Sequence, residues 1–292
     1  MLEAAARLIG RNIDLPGVNR LIRSVFPSGP FSRRWVSGVR RRADGMQMDL
    51  DTRQVIDWEI CFRGNYESHL VPVFEAFLPL GGVAVDIGAN VGVHALTFAR
   101  IVGRKGHVFA YEPNPGVHAK LVKNVALNEL DQVSCFDTAV GDTSGIVQLR
   151  VPRSDTEEAG NPGLASVVAL DTPHDLVDVS VEPLDSLFQR SQLTRLDLIK
   201  IDVQGYEPFV FRGMPQVLQQ LKPAVVFEYE DWAWRKSGGD LGEVVDALQN
   251  NGYRLWTLSK SQGRRKALID EVADGVSHIE VIALPKDEVR TS

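Results

Sequence analysis

The amino-acid sequence predicts an α/β fold with an N-terminal helical cap before a doubly wound, mostly parallel sheet of seven strands. From residue 83 onward, short apolar segments alternate with amphipathic helical segments, a pattern typical of such sheets. A glycine-containing turn follows the first of these strands and opens a helix. The 292 residues are enough for one large α/β domain and an extra element. The candidate strands are 83–87, 107–111, 133–137, 196–201, 224–229, 253–258 and 279–284.

The segment before this sheet is basic. Residues 1–42 contain nine arginines against Glu3 and Asp14, and apolar residues recur there at helical spacing over 2–13 and 18–26. We expect two short amphipathic helices, a Pro/Ser/Gly break at 27–30 and a basic connector over 32–42. The segment can be a cap packed over the main domain, a surface for a partner or a second copy, or a surface for an anionic membrane. We divide the chain into a cap, 1–62, and a main domain, 63–292.

Composition and charge exclude several classes of protein. The chain is 44% hydrophobic and 24% charged, and no run of about 18 apolar residues predicts a transmembrane helix. The first residues lack the form of a signal peptide. Cys61 and Cys135 lie among apolar residues, which favours buried thiols and a cytoplasmic protein. The net charge of −6 argues against a nucleic-acid partner.

A nucleotide-type ligand is predicted at the turn after the first strand of the sheet. Asp86 ends this strand, and Gly88, Asn90 and Gly92 follow within the turn before the next helix. Open α/β sheets bind ligands at the carboxyl ends of their strands, and glycine permits a close backbone approach. The alternative is that these residues only build a tight turn.

A second acidic residue follows the next strand. Glu112, with Pro113 and Asn114, lies where a carboxylate can accept both hydroxyls of a ribose. A dinucleotide-binding protein shares this acid but normally has the spacing G-x-G-x-x-G, whereas this chain has Gly88-x-x-x-Gly92. The negative charge of Asp86 also suits a ligand with an amino group or a sulfonium better than a pyrophosphate. S-adenosylmethionine carries both, so it is favoured over NAD.

The third strand is followed by Asp137, which can bind an adenine amine, and by Val140, which can contact the adenine face. A solvated loop carboxylate is an equally good interpretation of Asp137.

The segment 231–239 carries Trp232 and Trp234 and is either a loop facing the substrate or packed beneath the last helix. His94, at the start of a helix, can face a ligand or simply begin that helix. The histidines and cysteines show no zinc-binding spacing, and no metal is expected.

These segments together resemble the FkbM-type family of S-adenosylmethionine-dependent methyltransferases, class I enzymes with a Rossmann-like fold. The resemblance covers residues 64–230 and depends on several motifs in a fixed order. They are Gly64-Asn65-Tyr66-Glu67 and the segments 85–92, 111–114, 128–130, 139–142 and 198–207. The family typically methylates hydroxyl oxygens of sugars, polyketides and related metabolites.

The resemblance also implies roles for individual residues. It implies that Tyr66 and Glu67 close over the cofactor and that Asp202 lies where the methyl group emerges. A base should activate the acceptor hydroxyl, and the candidates are Asp202, Glu228 and Glu207. This chain has Gln204 where the family commonly has a glutamate, and an amide cannot serve as a base.

The sequence therefore predicts an O-methyltransferase that uses S-adenosylmethionine and acts on a small molecule, with a saccharide or glycosylated metabolite favoured. One alternative is a nucleotide-binding protein of the same fold that has lost turnover, and Gln204 supports it. The other is an NAD-dependent oxidoreductase. A homo-oligomer is compatible with the sequence, and membrane contact through the basic N-terminus is the less favoured interpretation of that segment.

Overall fold

A computed structural model describes residues 2–13, 17–33, 35–153, 156, 165–168, 173–258, 265–268 and 278–286. The helices are α1 (Leu2–Asn12), α2 (Val18–Val25), α3 (Val55–Arg63), α4 (Val71–Phe77), α5 (Val93–Val102), α6 (Pro115–Leu127), α7 (Leu184–Ser191), α8 (Glu207–Arg212), α9 (Pro215–Gln220), α10 (Asp231–Ser237) and α11 (Leu241–Asn250). The strands are β1 (Ser37–Arg41), β2 (Gln47–Asp51), β3 (Val83–Ile87), β4 (His107–Tyr111), β5 (Val133–Phe136), β6 (Thr138–Val140), β7 (Gly145–Pro152), β8 (His174–Glu182), β9 (Leu198–Ile201), β10 (Ala224–Glu230), β11 (Tyr253–Leu258), β12 (Arg265–Leu268) and β13 (His278–Pro285).

The central sheet has the strand order β12-β11-β13-β10-β9-β3-β4-β5. The five strands from β10 to β5 are parallel, and β13 pairs antiparallel with both β10 and β11. All seven predicted strands are present, so the doubly wound, mostly parallel α/β prediction is confirmed. An eighth strand, β12, lies at the edge of the sheet; the sequence pattern does not indicate it, because the basic run 264–266 predicts a solvated loop there.

Helices cover the sheet on both faces because its central strands are apolar on both sides. Val85 and Ile87 of β3 face one hydrophobic cluster, and Ala84 faces the other. Asp86 shares the face of Ala84, since side chains in a strand alternate. Its register partner on β9 is Lys200. Two ionisable groups therefore lie inside an otherwise apolar layer, near the carboxyl ends of the strands.

The N-terminal segment packs against the helices beside the predicted turn. A third hydrophobic cluster joins Phe26 and Trp58 of this segment to Val93 of α5 and Val117 of α6. The indole Nε1 of Trp58 donates a 2.6 Å hydrogen bond to the Phe26 carbonyl. Asn124 of α6 and Asn128, just after this helix, also hold β2: their side chains accept from the Asp49 and Gln47 amides, each at 2.8 Å.

Both predicted N-terminal helices are present, but the predicted basic connector is not simply a connector. Residues 37–41 form β1, which pairs antiparallel with β2. The division of the chain at residues 62 and 63 remains a prediction. In the described part of the chain, no helix has the length and apolar composition needed to cross a bilayer.

A separate small sheet follows β5, with the order β6-β8-β7. The sequence pattern predicts an added strand at 145–151, which corresponds to β7, and no strand at the position of β8. It also predicts a polar loop at 154–163, of which only Thr156 lies within the described residues. Ser166 joins this region to the central sheet, because its hydroxyl donates to the Gln204 carbonyl at 2.8 Å.

Candidate active site

A cavity of about 990 Å³, counting the part open to solvent, lies at the carboxyl ends of β3, β4 and β9. The predicted cofactor residues that line it are Tyr66, Glu67, Gly88, Asn90, Glu112, Pro113 and Val140. Asp202 lines it as well, whereas Asp86, Gly92, Asn114 and Asp137 do not.

The floor of the cavity depends on the turn after β3. Gly88 has a φ of +80°, and a Cβ there would overlap the carbonyl oxygen of Asp202. The Asp202 amide in turn donates to the Ile87 carbonyl at 3.0 Å, so the two turns lie in direct backbone contact. Gly92 has a φ of +93°, and a Cβ there would crowd Leu121 and Leu96. Gly88 therefore allows the turn after β3 and the turn after β9 to lie in contact. Gly92 leaves room for Leu121 of α6 and Leu96 of α5.

Glu112 is held by backbone amides at the edge of the cavity. Its two carboxylate oxygens accept hydrogen bonds from the Asn90 amide at 2.9 Å and the Asn114 amide at 2.8 Å. Burial raises the pKa of Glu112 to about 7, although these two bonds oppose the rise. Each oxygen keeps a lone pair that can accept a ligand hydroxyl. Asn114 instead caps α6, since its side chain accepts from the Gly116 amide.

Asp86 lies beneath the cavity and not in its wall. Its side chain is fully buried, and Lys200 is its register partner on β9. Burial raises the pKa of Asp86, while the charges of Lys200 and His94 and a hydrogen bond from the Ala95 amide oppose the rise. A buried carboxyl group needs such compensation, and Lys200 and His94, which line the cavity, supply it from the ligand side.

Glu67 and His94 form a pair at one side of the cavity. The two side chains meet at 2.8 Å between His94 Nε2 and Glu67 Oε2. Although burial alone raises the pKa of Glu67, the bond from His94 and the charge of Lys200 lower it, so Glu67 is ionised. Glu67 also has a φ of +47°, an unusual conformation for a residue with a side chain. His94 lines the cavity, and only its place after Gly92 suggested this from the sequence.

Asp202 is held by two donors. Lys200 Nζ lies 2.9 Å from its Oδ2, and the Gln204 amide donates to its Oδ1 at 3.0 Å. Burial alone would lower the pKa of Lys200. The negative charges of Asp202, Glu67 and Asp86 raise it by more than burial lowers it, so the ammonium group stays charged. Gln204 thus orients Asp202 with a neutral donor at the position where the family commonly has a carboxylate.

A second, smaller cavity of about 240 Å³ adjoins the first. Glu67, Lys200 and Asp202 line both cavities, so these side chains form the boundary between the two spaces. Glu228 lines only the second cavity and lies 3.1 Å from the Nε2 of His278. Burial, together with the charge of Asp202, raises the pKa of Glu228 to about 8.

Two residues and one segment singled out from the sequence lie elsewhere. Glu207 is fully buried outside both cavities, and its carboxylate accepts from the Val203 amide at 2.9 Å. Burial raises its pKa to about 7. Asp137 is exposed between β5 and β6. The predicted loop at 231–239 is largely helix α10, with Trp234 in the hydrophobic core and Trp232 at the surface.

The small sheet supplies cavity residues that the sequence did not indicate. Leu149 of β7 and Ser166 line the cavity, and Tyr206 lines it from the turn after β9. No motif marked Leu149 or Ser166, because their approach to the turn after β3 depends on how the small sheet packs, whereas Tyr206 lies within the motif 198–207.

Comparisons with known proteins identify the family. Residues 86–255 match the family described as Methyltransferase FkbM domain. The 2-O-methyltransferase NoeI of Sinorhizobium fredii is 26% identical over 178 residues, which cover 57% of this chain and 70% of that protein. The hexuronic acid methyltransferase AglP of Haloferax volcanii is 27% identical over 144 residues, which cover 48% of this chain and about half, 53%, of that protein.

Two solved structures are similar at low identity. Methyltransferase FkbM from Methylobacillus flagellatus KT has 15% identity and a TM-score of 0.41, covering 69% of this chain and 43% of that one. M. jannaschii TYW2 in complex with AdoMet has 16% identity and a TM-score of 0.41, covering 86% of each chain. The family match spans more than half of the sequence and includes the turn after β3, the ends of β4 and β9, and Asp202. The chain therefore belongs to the FkbM family of methyltransferases, whose methyl donor is S-adenosylmethionine.

Proposed function

We propose that this protein transfers a methyl group from S-adenosylmethionine to a hydroxyl oxygen of a small molecule, a saccharide or a glycosylated metabolite. The observation that carries the proposal is the pair of adjoining cavities separated by Glu67, Lys200 and Asp202. The larger space suits the cofactor, and the smaller one has room for the reacting hydroxyl group of the acceptor but not for a sugar ring, so the groups between the two spaces border the reacting atoms. The names of NoeI and AglP, a 2-O-methyltransferase and a hexuronic acid methyltransferase, support oxygen and a sugar as the acceptor.

The larger cavity fits the cofactor on chemical grounds. Glu112 offers two carboxylate oxygens to ribose hydroxyls, and Val140 offers an apolar wall to the adenine. Glu67, Asp86 and Asp202 place three carboxyl groups near one end of the cavity, where they favour a cationic ligand. Tyr66 lines the same cavity beside Glu67. When bound, S-adenosylmethionine supplies an electrophilic methyl group on a positively charged sulfur.

Within this arrangement, Asp202 is our proposed base. It lines both cavities, and its carboxylate is oriented by Lys200 and Gln204. An acceptor hydroxyl in the smaller cavity can donate to Asp202 and lose its proton there as the new carbon–oxygen bond forms. Glu228 is the second candidate; because its pKa is about 8, only its ionised fraction can accept a proton near neutral pH. Glu207 touches neither cavity, and we assign it to holding the Val203 turn.

Alignment of the two substrates supplies much of the rate in such a displacement. Holding the acceptor oxygen in line with the departing sulfur is worth up to about 7–11 kcal/mol in favourable cases. A positioned base adds roughly 10²–10⁴-fold. The Asp202 carboxylate, held by two donors, serves both purposes because it fixes the hydroxyl as well as accepting its proton.

Calorimetric titration with S-adenosylhomocysteine, with NAD as the control, tests the cofactor assignment. We expect binding of the first ligand only, and Glu112→Ala should abolish it while the fold persists. Transfer of an isotopically labelled methyl group to a panel of sugars and glycosides then tests the reaction. Asp202→Asn should lower turnover far more than S-adenosylhomocysteine affinity. Unchanged turnover in this variant would exclude Asp202 as the base.

A second function is favoured by Gln204 alone. Its amide replaces the family's usual carboxylate next to Asp202, which is compatible with a cofactor-binding protein that has lost turnover. Binding of S-adenosylhomocysteine without methyl transfer to any acceptor would support this function over the first. The NAD-dependent oxidoreductase alternative has no support from the family match.

A further inference from the structure

Helix α1 packs on the protein with one face only. Ala6 is buried, and a Cβ at Gly10 would overlap the Phe62 carbonyl, so this side of the helix lies directly against α3. The opposite side is apolar and open to solvent. Its exposed residues, with their exposed fractions, are Leu2 at 57%, Leu8 at 67%, Ile9 at 38% and Ile13 at 41%. We call these four side chains the outer face of α1.

The outer face belongs to a segment of opposite charge to the rest of the chain. Residues 1–42 carry nine arginines and two acids, a formal net charge of +7, whereas the whole chain carries −6, which leaves −13 for residues 43–292. Four of these arginines are paired within the fold, since Arg23 meets Glu59, Arg42 meets Asp44, and both Arg7 and Arg40 meet Glu3. Arg20, Arg33 and Arg41 are exposed, and Leu21 beside Arg20 is itself 64% exposed. Apolar side chains and cations are therefore both exposed in this segment of an acidic protein.

We propose that the outer face of α1, together with Leu21 and Arg20, binds the surface of an anionic lipid bilayer. An amphipathic helix lies in the bilayer interface when its apolar face enters the acyl boundary and nearby cations meet anionic headgroups. The acidic remainder of the chain is repelled by the same surface, so contact is confined to this segment. Bound in this way, the protein lies on the membrane and does not span it.

Charge argues against a second copy as the occupant. In a two-fold symmetric dimer the same patch meets itself, so an interface built on this segment would bring Arg20 and the other exposed arginines of one copy against those of the other. Like charges brought together in an interface oppose association. An anionic headgroup layer has the opposite charge and therefore fits the segment better.

Flotation of the full-length protein with lipid vesicles tests the proposal. We expect binding to vesicles that contain phosphatidylglycerol and phosphatidylcholine, weaker binding to pure phosphatidylcholine, and release as salt rises from about 0.1 M to about 1 M. Leu8→Asp should weaken binding by at least about tenfold, since it removes buried apolar area and adds a repelled charge. Arg20→Gln should weaken binding to the anionic vesicles by about fivefold.

Leu80→Asp is the matched control, because Leu80 is 79% exposed and lies outside the segment. It should bind vesicles as the unchanged protein does. Affinity for S-adenosylhomocysteine, whose cavity contains no residue of α1, reports that each variant is folded. A folded protein that does not bind anionic vesicles would overturn the proposal. A concentration-dependent dimer in light scattering that Leu8→Asp abolishes would overturn it in favour of a second copy.

Discussion

Substitution of Gly88 by alanine separates backbone strain from steric overlap at the site. Gly88 and Gly81 have similar φ angles, +80° and +76°, so alanine is strained at both, by about 1–2 kcal/mol. Nothing lies within 4 Å of a Cβ at Gly81, whereas at Gly88 the added Cβ would overlap the Asp202 carbonyl and lie 3.3 Å from a methyl of Val203. Relieving this overlap should cost about 1–3 kcal/mol more than the strain alone.

The measurement is urea unfolding and S-adenosylhomocysteine titration of Gly88→Ala and Gly81→Ala in parallel. Both variants should lose stability through strain, but only Gly88→Ala should also displace the Asp202 turn. Its ligand affinity should therefore fall by about tenfold to a hundredfold, since 1.4 kcal/mol corresponds to a factor of ten. Equal stability and equal affinity in the two variants would show that the two turns are not in the contact described.

Three further predictions concern buried groups. Because burial raises the pKa of Glu207 from 4.5 to about 7, the free energy of unfolding should fall as pH rises across that interval, by up to about 3 kcal/mol. Glu207→Gln should flatten this fall in urea titrations at several pH values, and an unchanged slope would contradict the assignment. Lys200→Met should cost about 3–5 kcal/mol by leaving Asp202 without its cation, and thermal unfolding of the double variant with Asp202→Asn should recover part of the loss. Simple additivity would be the contrary result. Trp58→Phe should lose about 1–3 kcal/mol in urea unfolding because the Phe26 carbonyl loses its donor, and wild-type stability would refute that role.

The strands that could be predicted from the sequence are those formed by continuous runs of apolar residues. Seven of the eight strands of the central sheet were predicted because buried strands are apolar over most of their length. The strand β1 was missed because Ser37–Arg41 is nowhere fully buried and carries two arginines, so it gives no apolar run. The small sheet was only partly predicted, since exposed and half-buried residues predominate in both β7 and β8.

The residues of the candidate site were likewise only partly predictable from the sequence. Glu112 and Asp202 were predicted because a residue at the carboxyl end of a parallel strand has its position set by topology. The rule did not hold for Asp137, which turns toward solvent after β5. Glu207 carries the residue type expected of a base, but its direction depends on the left-handed turn at Gln204 and Gly205. Such a turn determines where a carboxylate points, and residue type alone does not.

The strand order has a consequence for how the chain is made. Strand β3 lies between β4, its next strand along the chain, and β9, which starts at Leu198. During synthesis at about 5–20 residues per second, one edge of β3 therefore waits roughly 5–20 s for its partner to leave the ribosome. The half of the site around Asp86 and Glu112 can form early, while Lys200 and Asp202 arrive late. An apolar strand edge exposed for that time is a target for chaperones and for aggregation, so the folding yield of this enzyme should be sensitive to the rate of translation between residues 87 and 201.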